Sequence, residues 1–207
     1  VKPDLAGFSL GAATATLLNV TLTEEDAQTF ERRFYDGQRL ENYFRTILDA
    51  SWLIHQNVPA FGLPLFSKSL ATIEAKLPYI MGQKRLIYHQ DAMNMHFLES
   101  HFTGLFDLEM CSVGTEAMQI GSLWYTFALH QNWYYFAEGY ASVSGKVLNA
   151  NDFAAAHAFA NFMIWRSISR NGRWRAAPEQ TEHLADAVSS ADYYAHSIAV
   201  LTQVHSR

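Results

Sequence analysis

The stretch YHQDAMNMHFLESHF, residues 88–102, decides the fold class, because the chain is all-α only if this segment is helical. Across residues 83–106 the apolar side chains recur near helical spacing, and most of them fall on one arc of a helical wheel. The spacing therefore predicts a long helix from about Gln83 to Met110. An extended conformation over residues 88–102 would overturn the all-α prediction.

The same wheel places His89, His96 and Glu99 on one face, where imidazole nitrogens and a carboxylate on adjacent turns can bind zinc, iron or copper. These three residues are the candidate metal ligands. Their face lies nearly opposite the apolar arc, so an ordinary solvated surface explains them more simply. No Glu-x-x-His, His-Glu-x-x-His or Cys-x-x-Cys-His motif occurs. A haem pocket needs only one axial histidine, so haem stays open as an alternative.

Asp91 is the unusual residue of this stretch, because on the wheel it falls inside the apolar arc. A buried carboxylate needs a partner or takes up a proton. We expect a core ion pair or a helix-terminal hydrogen bond, with an arginine of the run RSISRNGRWR, residues 166–175, as the candidate partner. The arginine cluster Arg166–Arg175, interleaved with tryptophans, could also hold phosphates or stack on bases. Cations that complement a helix C-terminus are the simpler interpretation.

The rest of the chain also shows helical patterns. Thr23 followed by three acidic residues is typical of a helix N-terminus. Residues 115–140 are apolar around the whole circumference, which is typical of a helix covered on most sides. The prediction is an all-α fold, a single bundle of six to seven helices around a central apolar helix at about 115–140. We expect one domain over residues 1–207, with 1–22 an irregular N-terminal arm.

Composition limits the function. The chain has 207 residues, with 49% hydrophobic, 14% aromatic and only 17% charged, so it is globular rather than disordered. Scarce charge with many aromatic residues is typical of surfaces buried against partner chains. The net charge of −5 argues against an overall nucleic-acid binder. The single cysteine, Cys111, allows no intramolecular disulfide.

Localisation is the least constrained property. No apolar stretch reaches the length that a bilayer span requires. A chain with one cysteine fits an intracellular or organellar compartment better than a secreted one. The sequence begins at Val1, so an N-terminal targeting signal removed from the mature chain is an open alternative.

No short motif of nucleotide-binding or hydrolytic enzymes is present: G-x-G-x-x-G, the Walker loop and G-x-S-x-G are all missing. The leading hypothesis is a non-catalytic helical subunit that packs against other chains in a homo- or hetero-oligomer, with no cofactor. The alternative is a helical-bundle metal or haem protein, an oxidoreductase or sensor, that uses His89, His96 and Glu99. The third hypothesis is a nucleic-acid-associated or coat-like protein that uses the Arg166–Arg175 cluster.

Overall fold

The chain is mostly helical. The computed structural model describes residues 3–20, 22–35, 39–49, 63–89, 95–98, 101–105, 111–126 and 129–171. Of these described residues 77% are helical, which confirms the prediction of a predominantly helical fold. The prediction of a single domain stays a prediction.

Seven helices lie in the described part of the chain. They are α1 (Pro3–Leu18), α2 (Glu24–Phe34), α3 (Leu40–Asp49), α4 (Leu63–Gly82), α5 (Glu116–Thr126), α6 (Leu129–Ser144) and α7 (Ala150–Asn171). None of these helices combines the length and the apolar character that a membrane span requires.

The long helix predicted from Gln83 to Met110 is wrong. This part of the chain holds four short strands, β1 (Leu86–His89), β2 (Met95–Leu98), β3 (His101–Leu105) and β4 (Cys111–Gly114). They form two antiparallel two-stranded sheets, β1 with β4 and β2 with β3. An apolar run of four or five residues fits a helix and a strand equally well, and only the pairing with a distant segment decides between them. The mostly helical chain therefore contains a small β region.

Several element boundaries also differ from the prediction. Residues 3–18, expected to be irregular, form α1. Helix α4 continues through Pro78, which is exposed on the helix surface. The predicted central helix at 115–140 is two helices, α5 and α6, with residues 127–128 outside the described part. The prediction that Thr23 begins a helix is confirmed: its Oγ1 accepts a 3.1 Å hydrogen bond from the backbone N–H of Asp26.

The core surrounds α5 and α7. In α5 nearly every side chain from residue 117 to residue 123 is buried, as predicted for a central helix. Aromatic contacts connect α7 to the rest of the fold. Phe162 stacks on Phe44 of α3 at a ring-centroid distance of 3.8 Å, and Phe159 meets Tyr88 of β1 edge-on at 5.9 Å. Helix α1 packs along α6 on the other side of the core. The β1–β4 sheet is thus held against α7 and lies next to α5.

Candidate functional site

The two small sheets are joined by two connecting segments. In the β1–β4 sheet His89 lies opposite Cys111, and in the β2–β3 sheet Met95 lies opposite Leu105. The chain therefore leaves β1 and enters β4 at the same end of one sheet. The chain enters β2 and leaves β3 at the same end of the β2–β3 sheet.

Residues 90–94 and residues 106–110 consequently connect the same two sheet ends, in opposite directions. Asp91 is the second residue of the first segment, and Asp107 is the second residue of the other. Both segments lie outside the described residues.

Helix α5 holds the β1 end of this region through Gln119. The side-chain Oε1 of Gln119 accepts a 2.8 Å hydrogen bond from the backbone N–H of His89. Both residues are completely buried, at 0% exposure. A hydrogen bond made away from water fixes geometry well, because breaking it leaves a buried donor without a partner. Gln119 therefore fixes the point at which the chain leaves β1.

Further polar groups are buried beside this bond. The atoms Ser112 Oγ on β4, Thr115 Oγ1 and Gln119 Nε2 are buried, and none has a hydrogen-bond partner among the described residues. Buried polar groups in proteins are normally hydrogen-bonded. This corner of the fold, where β1 and β4 meet α5, is thus equipped to hold additional polar groups.

The start of α5 is fixed from two sides. The side chain of Gln83, just before β1, accepts a 3.0 Å hydrogen bond from the backbone N–H of Ala117. On the other side Lys146 Nζ lies 2.8 Å from Glu116 and 2.9 Å from Asp152. Tyr79 of α4 donates a 2.8 Å hydrogen bond to Asp152. This cluster joins α4, α5, the loop after α6 and α7, and so holds α5 in place beneath the sheets.

The charged cluster shifts the pKa values of its members. Burial alone would raise the pKa of Asp152, but bonds from the Asn149 N–H, Lys146 and Tyr79 hold it below the ordinary value. Burial alone would lower the pKa of Lys146, but its bonds to Glu116 and Asp152 hold it above the ordinary value. Both shifts favour the charged forms, so the cluster is an ion pair in the folded protein.

The three predicted metal ligands do not share a helix face. His89 ends β1 and is completely buried, whereas His96 lies in β2, which belongs to the other sheet. Glu99 lies outside the described residues. Within the described part of the chain no group of three or more His, Cys, Asp or Glu side chains is placed to hold a metal ion. The metal site stays a prediction, but the helix on which it was argued is wrong.

Other residues singled out in the sequence fall partly or wholly outside the described part. The expected ion pair of Asp91 lies outside it. Of the arginine cluster, Arg166 and Arg170 lie in α7, whereas Arg173 and Arg175 lie outside the described residues. The sequence analysis gave no role to Asp107. The signal that could have found it is an acidic residue directly after the short apolar run Leu105-Phe106.

Comparisons with known proteins identify the fold. No protein-family model matches the sequence, and no curated protein matches it. Among solved structures, the chain is similar to an aminoglycoside phosphotransferase from Alicyclobacillus acidocaldarius, with a TM-score of 0.56 and 17% identity over 97% of this chain. It is also similar to APH(2'')-Ib in its ADP-bound form and to APH(2'')-IIa in complex with gentamicin. Their TM-scores are 0.50 and 0.52, both at 13% identity over 91% and 90% of this chain.

The chain spans 66%, 63% and 62% of the length of these three structures. The leading hypothesis of a non-catalytic interaction subunit is wrong in the light of these comparisons, because the structures that share the fold are enzymes. The sequence did not indicate the fold shared with these enzymes, because the glycine-rich nucleotide-binding motifs that would have signalled it are missing. At this identity the likeness establishes the fold: the chain has the kinase-like fold of aminoglycoside phosphotransferases.

Proposed function

We propose that this chain carries the catalytic segment of a phosphotransferase, which moves the terminal phosphoryl group of a nucleoside triphosphate to a hydroxyl group of a small molecule. One observation carries the proposal. Asp91 is the second residue after the end of β1 and Asp107 is the second residue after the end of β3, in a chain that shares its fold with phosphotransferases. Phosphoryl transfer needs acidic groups close together, because it depends on positioning and on a bound divalent cation.

The order of residues supports this assignment. Kinases use a His-Arg-Asp loop whose Asp is the base, an Asn five residues later that binds a metal ion, and an Asp-Phe-Gly segment whose Asp binds metal as well. Here His89-Gln90-Asp91 follows β1, and Asp107-Leu108-Glu109 follows β3. The sequence departs from the pattern at four positions: Gln90, Leu108, Glu109 and the Asn position, which is His96.

Asp91 is proposed as the general base. As the oxygen of the acceptor hydroxyl forms a bond to the γ-phosphorus, the carboxylate of Asp91 accepts the hydroxyl proton. The bond between the γ-phosphorus and the oxygen bridging to the β-phosphate breaks, and the nucleoside diphosphate leaves. Asp107 and His96 are the residues that would hold a divalent cation, which neutralises charge on the β- and γ-phosphate oxygens. The buried bond from the His89 N–H to Gln119 ties the end of β1, two residues before Asp91 in the sequence, to α5.

The acceptor and the residues that bind the nucleotide are the less specified parts of the proposed function. The matched structures are named for aminoglycosides, and one holds gentamicin. At 12–17% identity we propose only the broader class, a small molecule with hydroxyl groups. No G-x-G-x-x-G run occurs in the sequence. The proposed roles are therefore limited to the catalytic acids, and no residues are assigned to nucleotide binding.

The test measures formation of ADP from ATP by the purified chain, with Mg²⁺ or Mn²⁺, and with gentamicin as the first hydroxyl-bearing acceptor. We expect Asp91→Asn to slow turnover by about 10²–10⁴-fold, the usual contribution of a general base. Asp107→Asn should abolish the dependence of the rate on the divalent cation. The binding of ATP in the presence of the cation is measured in parallel by titration calorimetry.

Glu74→Gln is the matched control, because it removes an acidic group from the exposed face of α4, away from the sheets. It should leave turnover unchanged. The proposal fails if the unaltered chain forms no ADP with either ion and with every acceptor of a hydroxyl-bearing panel. It also fails if Asp91→Asn and Asp107→Asn turn over as fast as the unaltered chain.

A further inference from the structure

Three polar side-chain atoms around the start of α5 are buried without a hydrogen-bond partner among the described residues. They are Ser112 Oγ, Thr115 Oγ1 and Gln119 Nε2. The exposed fractions of these residues are 2%, 0% and 0%. A buried polar group without a partner costs free energy, and most such groups in proteins bond to the chain or to ordered water. Three of them within eight residues therefore require a common explanation.

The orientation of the Gln119 amide is fixed by its bond to β1. A backbone N–H only donates, so the amide atom that lies 2.8 Å from the His89 nitrogen must be the carbonyl oxygen. The NH₂ group is then the other branch of the amide, and it offers two donors that no atom of the described residues accepts. Gln119 therefore requires a hydrogen-bond acceptor beside its NH₂ group.

Thr115 lies one helical turn before Gln119, and its hydroxyl does not cap the helix. The carbonyl oxygen of Thr115 accepts a 3.1 Å bond from the N–H of Gln119, so the two residues are neighbours on one face of the helix start. A threonine directly before a helix commonly accepts a bond from the second or third N–H of the first turn. Here the second N–H, that of Ala117, is accepted by the side chain of Gln83. The Thr115 hydroxyl is thus left for another partner.

Ser112 brings strand β4 into the same corner of the fold. It lies three residues before Thr115 and pairs with Tyr88, the residue that precedes His89 in β1. The N–H that Gln119 accepts therefore belongs to the residue next to the strand partner of Ser112. The three atoms consequently lie around the junction of β1, β4 and α5.

The chemistry of these groups selects the ligand. An amide NH₂ group only donates, whereas the hydroxyls of serine and threonine both donate and accept. A metal ion is repelled by the NH₂ group, and a buried anion is costly unless an opposite charge pairs with it. A neutral molecule that donates and accepts satisfies all three groups. Water is the smallest molecule of this kind, and a buried water in a protein typically makes about three hydrogen bonds.

We infer that at least one long-lived water molecule is buried at this junction, bonded to Gln119 Nε2, Thr115 Oγ1 and Ser112 Oγ. It accepts from the amide of Gln119 and makes its further bonds with the two hydroxyls. The bond between Gln119 and His89 then belongs to a network that includes β4 as well as α5 and β1. The inference does not depend on the proposed phosphotransferase activity.

The experiment counts long-lived water molecules in the purified chain by oxygen-17 magnetic relaxation dispersion. The oxygen nucleus reports on whole water molecules, so the exchange of hydroxyl protons with solvent does not contribute. Thr115→Val keeps the shape of the side chain and removes the hydroxyl, and we expect it to lower the count by at least one. Thr115→Ser keeps the hydroxyl and should retain the count of the unaltered chain.

Urea denaturation gives a second and independent readout. If water bonds to the Thr115 hydroxyl, Thr115→Val leaves that water with fewer partners, and the denaturation midpoint should fall. If the hydroxyl is buried without water, the same variant removes an unsatisfied polar group, and the midpoint should rise. The direction of the shift therefore separates the two cases, and we expect a fall.

Thr14→Val is the matched control, because Thr14 is also buried but its hydroxyl donates a 2.8 Å hydrogen bond to the carbonyl oxygen of Leu10 within α1. It should leave the water count unchanged. Ser112→Ala serves as the second variant if Thr115→Val fails to give the circular-dichroism spectrum of the unaltered chain, and it should lower the count in the same way. A count that is unchanged in the variant measured, or a denaturation midpoint that rises, overturns the inference.

Discussion

The Oε1 atom of Gln119 accepts a 2.8 Å hydrogen bond from the backbone N–H of His89, and both residues are fully buried. The bond joins the central helix α5 to the last residue of β1, two residues before Asp91. It is a side-chain contact between residues 30 positions apart. A helix that is itself buried on nearly all sides therefore acts as the rigid support for the segment proposed to carry the base.

Replacement of Gln119 by Leu should damage this support. The variant leaves the N–H of His89 buried without an acceptor, so the free energy of unfolding should fall by about 1–3 kcal/mol. If Gln119 positions Asp91, kcat should fall while the KM for ATP changes little. Urea denaturation and steady-state kinetics measure the two effects separately.

Gln28→Ala is the comparison for this variant, because the 3.4 Å bond from Gln28 to Glu24 lies on the exposed surface of α2. It should change the free energy of unfolding by less than about 0.5 kcal/mol. Equal kcat values for Gln119→Leu and the unaltered chain would show that the bond has no part in positioning.

How far the sequence predicts the fold depends on the length of each periodic segment. Helix α2 has both a cap at Thr23 and a long pattern, and it was predicted correctly. The strands β1 to β4 have four or five residues each, too few for the helical and extended periods to be separated. Their partners, such as Cys111 opposite His89, are remote in sequence, so local spacing contains no signal of the pairing.

The candidate site could be predicted only in part, again because local spacing contains no signal of the strand pairing. The stretch of residues 88–102 was singled out for its histidines and for Asp91, and a functional role of these residues stays a prediction. Their grouping was wrong, because a helical wheel places residues seven apart on one face, whereas His89 and His96 here belong to different sheets. Asp107 was given no role because the long helix predicted from Gln83 to Met110 included it, whereas in the structure it follows a strand.

Asp152→Asn should alter the acid stability of the protein. In the folded state the pKa of Asp152 is below its ordinary value of 3.8, since the bonds from Asn149, Lys146 and Tyr79 outweigh burial. A lowered carboxyl pKa stabilises the fold above pH 3.8, and the stabilisation is lost as the pH falls through the folded value. Asp152→Asn should therefore unfold more easily than the unaltered chain near pH 7, by roughly 1–3 kcal/mol.

The stability difference between the two proteins should then shrink as the pH falls below 3.8. Chemical denaturation at a series of pH values measures it. Asp26→Asn, on the exposed first turn of α2, is the control. A difference between Asp152→Asn and the unaltered chain that stays constant down to the lowest pH would mean that the carboxylate charge of Asp152 does not stabilise the fold.

Cys111 should react slowly with alkylating reagents. Burial raises the pKa of its thiol above the ordinary value of 9.0, and the thiolate is the reactive form. Because it is the single cysteine of the chain, iodoacetamide reports on this position alone. We expect the pH midpoint of the alkylation rate to lie above 9.0 in the folded protein. In guanidinium chloride the midpoint should return to the ordinary value, and a folded midpoint below 9.0 would contradict the burial argument.

Two glycines allow α1 and α6 to approach closely. A Cβ on Gly11 would collide with the carbonyl oxygen of Phe136, and a Cβ on Gly139 would collide with the carbonyl oxygen of Phe8. Backbone cannot rearrange as a flexible side chain does, so Gly11→Ala and Gly139→Ala should each lower the free energy of unfolding by about 1–3 kcal/mol. The two effects should not add, because both variants force the same pair of helices apart.

Gly82→Ala is the matched control for these two variants. Gly82 ends α4, and no heavy atom of the described residues lies within 4 Å of the position that its Cβ would occupy. Here the substitution should raise the free energy of unfolding by about 0.4–1 kcal/mol, because alanine restricts the unfolded chain. Urea denaturation of the four proteins distinguishes the cases. If Gly11→Ala is as stable as Gly82→Ala, the contact between α1 and α6 is not as close as these two glycines require.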